Sequence, residues 1–298
     1  MKDFASILVG IDFRPSDGTL TEGARSATLQ AIELAKENGA RLKFLYSEVR
    51  DPEEERGSAF DLAVGQAGWR ALCAEHGLAD PELVISEEAP WLAMTHRVLS
   101  GGYDLVIVGK RNRGRAMDRQ LGSVTMRLLR KCPGPVWVVR PGHEEDAGPF
   151  LAATDLSTVG NRAVERAARL AQADDADLVI VHAWQIPFEL QLSGSRMGDE
   201  EYQARTQEAV ESARAEIRAI PGVADLGERA KILIALGAAS EAILKVERRI
   251  EPCLTVLGSA ARGGIPGFLM GNTAERLLYQ LESSLLVVKP EDFVSPVG

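Results

Sequence analysis

Apolar residues in this chain come as short unbroken runs, separated by longer stretches where they recur every three or four positions. In the first half the runs are "SILVGID" ending at Asp12, "RLKFLYSEV" from Arg41, "ELVIS" at Glu82–Ser86, "DLVIVG" ending at Gly109 and "PVWVVRP" ending at Pro141. Between them the spacing predicts helices over Ala24–Asn38, Ser58–Glu75, Pro90–Ser100 and Gly122–Arg130. Ala24, Ala27, Ala31, Leu34 and Ala35 form one face of the first helix, and Gly39 is its stop signal. Runs rich in Val, Ile and Leu with little alternation imply strands covered on both faces. Strand–helix–strand order then implies an α/β fold with a parallel, doubly wound sheet and right-handed crossovers.

The pattern is written twice. From Phe150 the strand runs are "FLAATD", "DLVIVHAW", "AKILIA", "CLTVLG" and "SLLVVKP", with a long charged helix about Glu200–Ile220. Gly109 pairs with Gly258, Gly122 with Gly271 and Pro141 with Pro290, each 149 positions apart. One αβ unit has been duplicated. The junction "RPGHEEDAGPF" carries Pro, Gly and charge, so the domains are expected at residues 1–142 and 149–298. Six fewer positions separate Asp12 from Gly109 than Asp155 from Gly258. The surplus is expected in "QIPFELQLSGSRMGDEE", read as a mobile loop over the sheet edge.

Composition narrows the classes. The 298 residues, 45% hydrophobic, suffice for two packed domains. A formal charge of -9 argues against broad nucleic-acid binding. No run approaches the length of a membrane span, and the N-terminus lacks a signal-peptide pattern, so a soluble cytoplasmic protein is expected. Cys73, Cys132 and Cys253 are too few and too far apart for a disulfide framework and read as buried small hydrophobes. His76, His96, His143 and His182 form no metal-ligand pattern. Glu87, Glu88, Trp91 and His96 read as rim residues, and His182 as a packing or hydrogen-bonding residue at a strand end where the first copy has Tyr46.

The chemistry concentrates after the fourth strand. In a doubly wound sheet, ligands sit beyond the carboxyl ends of the strands, where Asp12 and Gly109 would face one crevice. The loop "GKRNRGRAMDRQLGSVT" has the parts of an anion cradle. Gly109 would let the backbone turn and approach a ligand. Gly122 and Ser123 open a helix whose first N–H groups attract phosphate. Lys110, Arg111, Arg113 and Arg115 add positive charge. The same residues also suit an ordinary cap with solvated arginines. Asp12 and Asp155 fit either a turn cap or a hydrogen bond to a ligand.

At this loop the chain resembles the universal stress protein family, whose motif is Gly, two residues, Gly, nine residues, then Gly followed by Ser or Thr. Gly109, Asn112, Gly122 and Ser123 match in register, with Asn in place of the second Gly; the second copy has Gly258, Ala261, Gly271 and Asn272. "RKCPGPVWVVRP" and "GNTAERLL…LLVVKP" resemble the two halves of the E-type tandem members. The resemblance implies two five-stranded parallel sheets in the order 3-2-1-4-5. It also implies an ATP site, with or without Mg2+, formed in the first half by Asp12, Gly109, Asn112, Gly122, Ser123 and Val124. Asp155, Gly258, Ala261, Gly271 and Asn272 would form the second. Asn tolerates left-handed backbone better than Ala does. Asn272 replaces the hydroxyl, and Arg262 is the only basic residue in the second loop, so the second site is expected to be weaker or altered.

The expected role is regulatory nucleotide binding in a stress response, with protein partners unspecified. At most, slow ATP hydrolysis or autophosphorylation accompanies it, since Ser123 would adjoin the phosphates. The alternatives are a tandem interaction module that no longer binds nucleotide, a small-molecule binder using the apolar crevice with Phe188–Met197, or an adenine-nucleotide hydrolase, for which no attacking group is found. The resemblance also implies that the fifth strands, "PVWVV" and "SLLVV", pair within the chain, and a homodimer is plausible.

Overall fold

A computed structural model of the chain describes residues 3–49, 61–110, 122–142, 148–184, 199–259 and 272–297. It comprises two compact units, Met1–Asp146 with Ser284–Gly298, and Ala147–Ala260 with Gly271–Ser283. Part of the expected junction and the whole of the Phe188–Met197 segment lie outside the described residues.

In the first unit β1 (Ser6–Gly10), β2 (Arg41–Ser47), β3 (Glu82–Ser86), β4 (Leu105–Gly109) and β5 (Val136–Val139) are parallel. Their order is β3-β2-β1-β4-β5, the expected doubly wound arrangement. Ile7, Leu8, Val9, Leu105, Val106 and Ile107 have no measurable exposure, which is why β1 and β4 read as continuous apolar runs. The crossovers are α1 (Glu22–Asn38), α2 (Leu62–Glu75), α3 (Pro90–Gly101) and α4 (Ser123–Lys131). Helix α1 starts where Thr21 accepts from the Ala24 amide and stops at Gly39, in the left-handed region at φ 57°. Helix α2 starts later than the periodicity suggests. The Asp61 carboxylate accepts from Ala63 N at 2.9 Å and so caps the helix rather than lying within it. From α2, Trp69 packs edge-on against Phe44, ring centroids 5.0 Å apart.

In the second unit β6 (Phe150–Thr154), β7 (Leu178–Trp184), β8 (Ala230–Leu236) and β9 (Leu254–Gly258) are also parallel, with β6 between β7 and β9 and β8 outside β7. The described helices are α5 (Thr158–Ala173), α6 (Asp199–Arg218), α7 (Ala239–Ile250) and α8 (Asn272–Leu278), with a 3-10 turn at Ala224–Arg229. The last strand, β10 (Ser284–Val288), belongs to the first unit. There it pairs antiparallel with β5, Leu286 opposite Trp137, so the two fifth strands do pair.

The surplus length of the second copy is not where the sequence suggested. Residues 48–61 link β2 to α2 and residues 185–198 link β7 to α6, so the two connections are equally long. The second copy is longer in α6, at 20 residues against 14 in α2, and in the connection to β8 that carries the 3-10 turn, gains partly offset by its shorter connection between β6 and α5. The residues of "QIPFELQLSGSRMGDEE" up to position 198 lie outside the described ones.

Glu247 is a buried carboxylate in α7, 4% exposed. Its Oε1 accepts from the amides of Glu282 and Ser283 at 2.7 and 3.1 Å. Glu247→Leu should cost about 2 kcal/mol in urea unfolding, because two amides lose their acceptor where water is excluded. Cys73 and Cys132 are fully buried, and burial pushes both thiols up to about 11, which keeps them unreactive; Cys253 is half-buried.

Candidate functional site

Strand β1 pairs with β4 so that Gly10 lies beside Val108. The chain therefore leaves both strands at one end of the sheet, and Asp12 and Gly109 open on the same crevice. After β1 the chain runs through eleven residues, 11–21, before α1 begins. This connection is internally bonded. Phe13 bridges Leu20, Arg14 N donates to the Thr19 carbonyl at 2.7 Å, and Gly18 N to the Arg14 carbonyl at 2.9 Å. Asp17 accepts from the Thr19 hydroxyl and amide at 2.7 and 2.9 Å, and these bonds hold its carboxyl below the usual range. Phe13 anchors the loop from beneath, 2% exposed and edge-on to Tyr46 at 5.2 Å.

Around this connection lies a cavity of about 360 Å³. Apolar lining comes from Ile11, Leu45, Val49, Pro90, Met94 and Val108. Polar lining comes from Asp12, Arg14, Glu22, Ser47 and Lys110. Two helix starts converge on it: Thr21, Gly23 and Ala24 of α1, and Gly122, Val124 and Thr125 of α4. Thr21 caps α1, whereas α4 has Gly122 as its N-cap and no side-chain cap. An anion would therefore be drawn to the α4 start, where positive dipole and amides meet and no described side chain caps the helix. At the α1 start Glu22 is already present, 3.6 Å from Arg14, both exposed, so this ion pair adds little stability. A cavity of this size, half apolar and with few convergent polar groups, has the character of a small-molecule site.

The cavity brings together Asp12, Gly109, Gly122 and Val124. Ser123 opens α4 but is not among the lining residues. Asn112, Ala261 and Gly271 lie outside the described residues, and for Asn272 only its place at the start of α8 is described. Asp12 does two things: Oδ1 accepts from Phe13 N at 2.8 Å, holding the loop, while the residue lines the cavity. Asp155 is a turn cap. Its Oδ1 accepts from both the amide and the hydroxyl of Ser157, and Ser157 in turn caps α5 at Gly160 N.

The glycine at 109 is explained by packing against protein. It lies in extended strand backbone without positive φ. A Cβ there would stand 2.1 Å from the carbonyl of Gly23, in the first turn of α1. In the second copy a Cβ on Gly258 would stand 2.8 Å from the Val159 carbonyl, beside Gly160. In both units the fourth strand and the first helix meet backbone to backbone.

The corresponding turn of the second unit differs. Only residues 155–157 link β6 to α5, so Arg14 has no counterpart in that turn. Thr154 Oγ1 donates to Asn161 Oδ1 at 2.8 Å and accepts from Leu156 N at 2.9 Å. His182 Nδ1 lies 2.9 Å from the Thr154 carbonyl, which requires the hydrogen on Nδ1. This is the hydrogen-bonding role expected of His182. On α3, His96 pairs with Glu88 at 3.2 Å and Trp91 receives Lys131 and Arg127 of α4 at 4.5 and 5.8 Å from its ring.

The sequence model of the universal stress protein family matches residues 4–140 and again residues 148–289. The chain belongs to the universal stress protein family. It carries two family domains in tandem. It is similar to universal stress protein E of Escherichia coli K12, 26% identical over 223 residues that cover 72% of this chain and 69% of the relative. A universal stress protein of Mycobacterium tuberculosis is 27% identical over 305 residues, 95% of this chain and 96% of that one. A functionally unknown protein from Pseudomonas aeruginosa shares the fold at a TM-score of 0.72 and 23% identity, covering 98% of this chain and 94% of its own. A universal stress protein from Archaeoglobus fulgidus does so at 0.60 and 17%, covering 95% of this chain and 98% of its own. No described helix of this family member is long and apolar enough to cross a membrane.

Sequence reading missed the α1 side of the site. Thr21, Glu22 and Gly23 carried a signal: "TEGAR" at Thr21–Arg25 repeats as "TVGNR" at Thr158–Arg162. A glycine in the first turn of a helix, in both copies, marks a close approach.

Proposed function

We propose that this protein is a stress-response regulator that binds ATP in its first unit. The observation that carries this reading is the cavity shared by Asp12 and the start of α4. Its apolar lining suits an adenine ring, and the α4 start, with Lys110 nearby, suits the phosphates. Asp12 faces the ribose or base; Gly109, Asn112, Gly122, Ser123 and Val124 hold the phosphate tail, with Mg2+ as its counter-ion. Asp155, Gly258, Ala261, Gly271 and Asn272 make a weaker or altered counterpart, since the turn before α5 is short and its carboxylate is engaged with Ser157. The site supplies binding and orientation; occupancy then tunes contacts with other proteins.

Calorimetric titration of the full chain with Mg-ATP tests this. Asp12→Ala should weaken binding about tenfold, the effect of losing one good hydrogen bond to the ligand. Asp155→Ala should leave the tighter site unchanged. Binding that survives Asp12→Ala undiminished would reduce Asp12 to a loop-holding residue. The apolar lining also favours a second reading, a small apolar ligand in the same crevice; native mass spectrometry of freshly purified protein separates the two by the mass carried.

A further inference from the structure

The final segment of the chain grips α4 from the end opposite the cavity. Lys289 follows β10 and is 2% exposed. Its Nζ donates to the carbonyl of Leu129, in the last turn of α4, and lies 4.8 Å from the ring centroid of Phe293. Six residues further on, the Ser295 hydroxyl donates to the Lys131 carbonyl at 2.8 Å. At the start of β10, Ser284 Oγ accepts from Arg140 N at 3.1 Å. Carbonyls in the last turn of a helix have no partner within it, and a cation there is favoured by the dipole.

Helix α4 is nine residues, a rod of about 13 Å. Its buried stripe of Thr125, Met126, Leu128 and Leu129 fixes its rotation. The two tail bonds fix its position along its axis. Gly122, Val124 and Thr125 at the other end line the cavity, so an axial shift at Leu129 is delivered to the ligand side. We propose that the carboxyl-terminal segment is a clamp on α4 and that Lys289 is a positioning residue for the cavity of the first unit. A segment of the second repeat thereby positions the α4 side of the first unit's cavity. The clamp rests on the nucleotide reading only for its ligand readout.

The test compares full-length wild type, Lys289→Met and Ser295→Ala at pH 7, by Mg-ATP titration and by amide exchange over residues 123–131. Lys289→Met should bind Mg-ATP about fivefold more weakly, within the range for residues that act through a packed element. Its α4 amides should exchange faster, and its thermal midpoint should not fall, because a buried charge has been removed. Ser295→Ala should shift both readouts the same way by about twofold. Unchanged affinity and unchanged α4 exchange in Lys289→Met would overturn the clamp. If that variant does not fold, the same result in Ser295→Ala overturns it. A wild type that gives no heat with Mg-ATP defeats the nucleotide reading instead, and α4 exchange alone then decides the clamp.

Discussion

Gly109→Ala should destabilise the first unit by about 4 kcal/mol, at the upper end of single-substitution effects. The added methyl would sit 2.1 Å from Gly23 carbonyl carbon and oxygen, well inside contact distance. Those atoms are backbone in the first turn of α1, so no rotamer relieves the clash. Either α1 lifts from the sheet or β4 bends away from β1. Ordinary overpacking costs 1–3 kcal/mol, and a clash with backbone on both sides exceeds it. Gly258→Ala should cost less, about 2 kcal/mol, since its nearest contact is 2.8 Å. Urea unfolding of each variant, followed by Trp fluorescence and circular dichroism, measures both. A Gly109→Ala protein as stable as wild type would mean that α1 and β4 part without cost, and would sink this reading of Gly109. Because the clash involves protein alone, the loss should be present without nucleotide.

This changes how the family motif reads in this chain. From sequence, Gly109 suggested room for a ligand; in the fold its missing side chain makes room for α1. In the first copy the motif glycine and the helix-start glycine are one device; in the second, Gly258 approaches the Val159 carbonyl while Gly160 makes room for Thr154 and Asp155. The duplication was legible because buried parallel strands leave continuous apolar runs, and the order of strands followed from the family resemblance. The site was legible on its α4 side, where glycine and basic residues cluster. It was not legible on its α1 side. Gly23 looks like an indifferent helix residue until a strand is brought against it, and that approach joins positions 86 apart in sequence. Likewise, the equal β2–α2 and β7–α6 connections were hidden because polar, Ser- and Gly-rich composition suggested an insertion. The added length lies in the charged helix α6 and the connection after it, and helix length leaves no turn signal.

The asymmetry between the copies follows from one connection. The first carries eleven residues between β1 and α1, held by the Phe13–Leu20 bridge, and the second carries three. That difference supplies Arg14 to the first cavity. It also leaves Asp12 lining the cavity, while Asp155 is drawn into a tight turn with Ser157. The difference between the copies is thus built into the β1–α1 and β6–α5 connections themselves.

Raising the pH from 8 to 10.5 should stabilise the protein through Lys289, contrary to the usual alkaline loss. Burial lowers this lysine to about 8 from an ordinary 10.5, with the nearby Cys132 pulling weakly the other way. Below pH 8 both folded and unfolded chains carry the proton, and the folded state bears the full cost of a buried charge. Between 8 and 10.5 the unfolded chain binds more protons than the folded one, so stability rises with pH. The span corresponds to about 3 kcal/mol at 1.4 per pH unit. Cys73 and Cys132 act in the opposite sense. Burial raises both thiols to about 11 from 9, so the stability they contribute below pH 9 is lost as pH climbs through 11. Lys289 also draws the Cys132 thiol down, so the clean comparison is made in a Cys132→Ala background. There, the stability advantage of Lys289→Met over Lys289 should shrink by about 3 kcal/mol between pH 7.5 and 10.5, read from urea midpoints at each pH. A constant difference across that range would show that the ammonium is solvated in the folded state, and the clamp would then lack its buried charge.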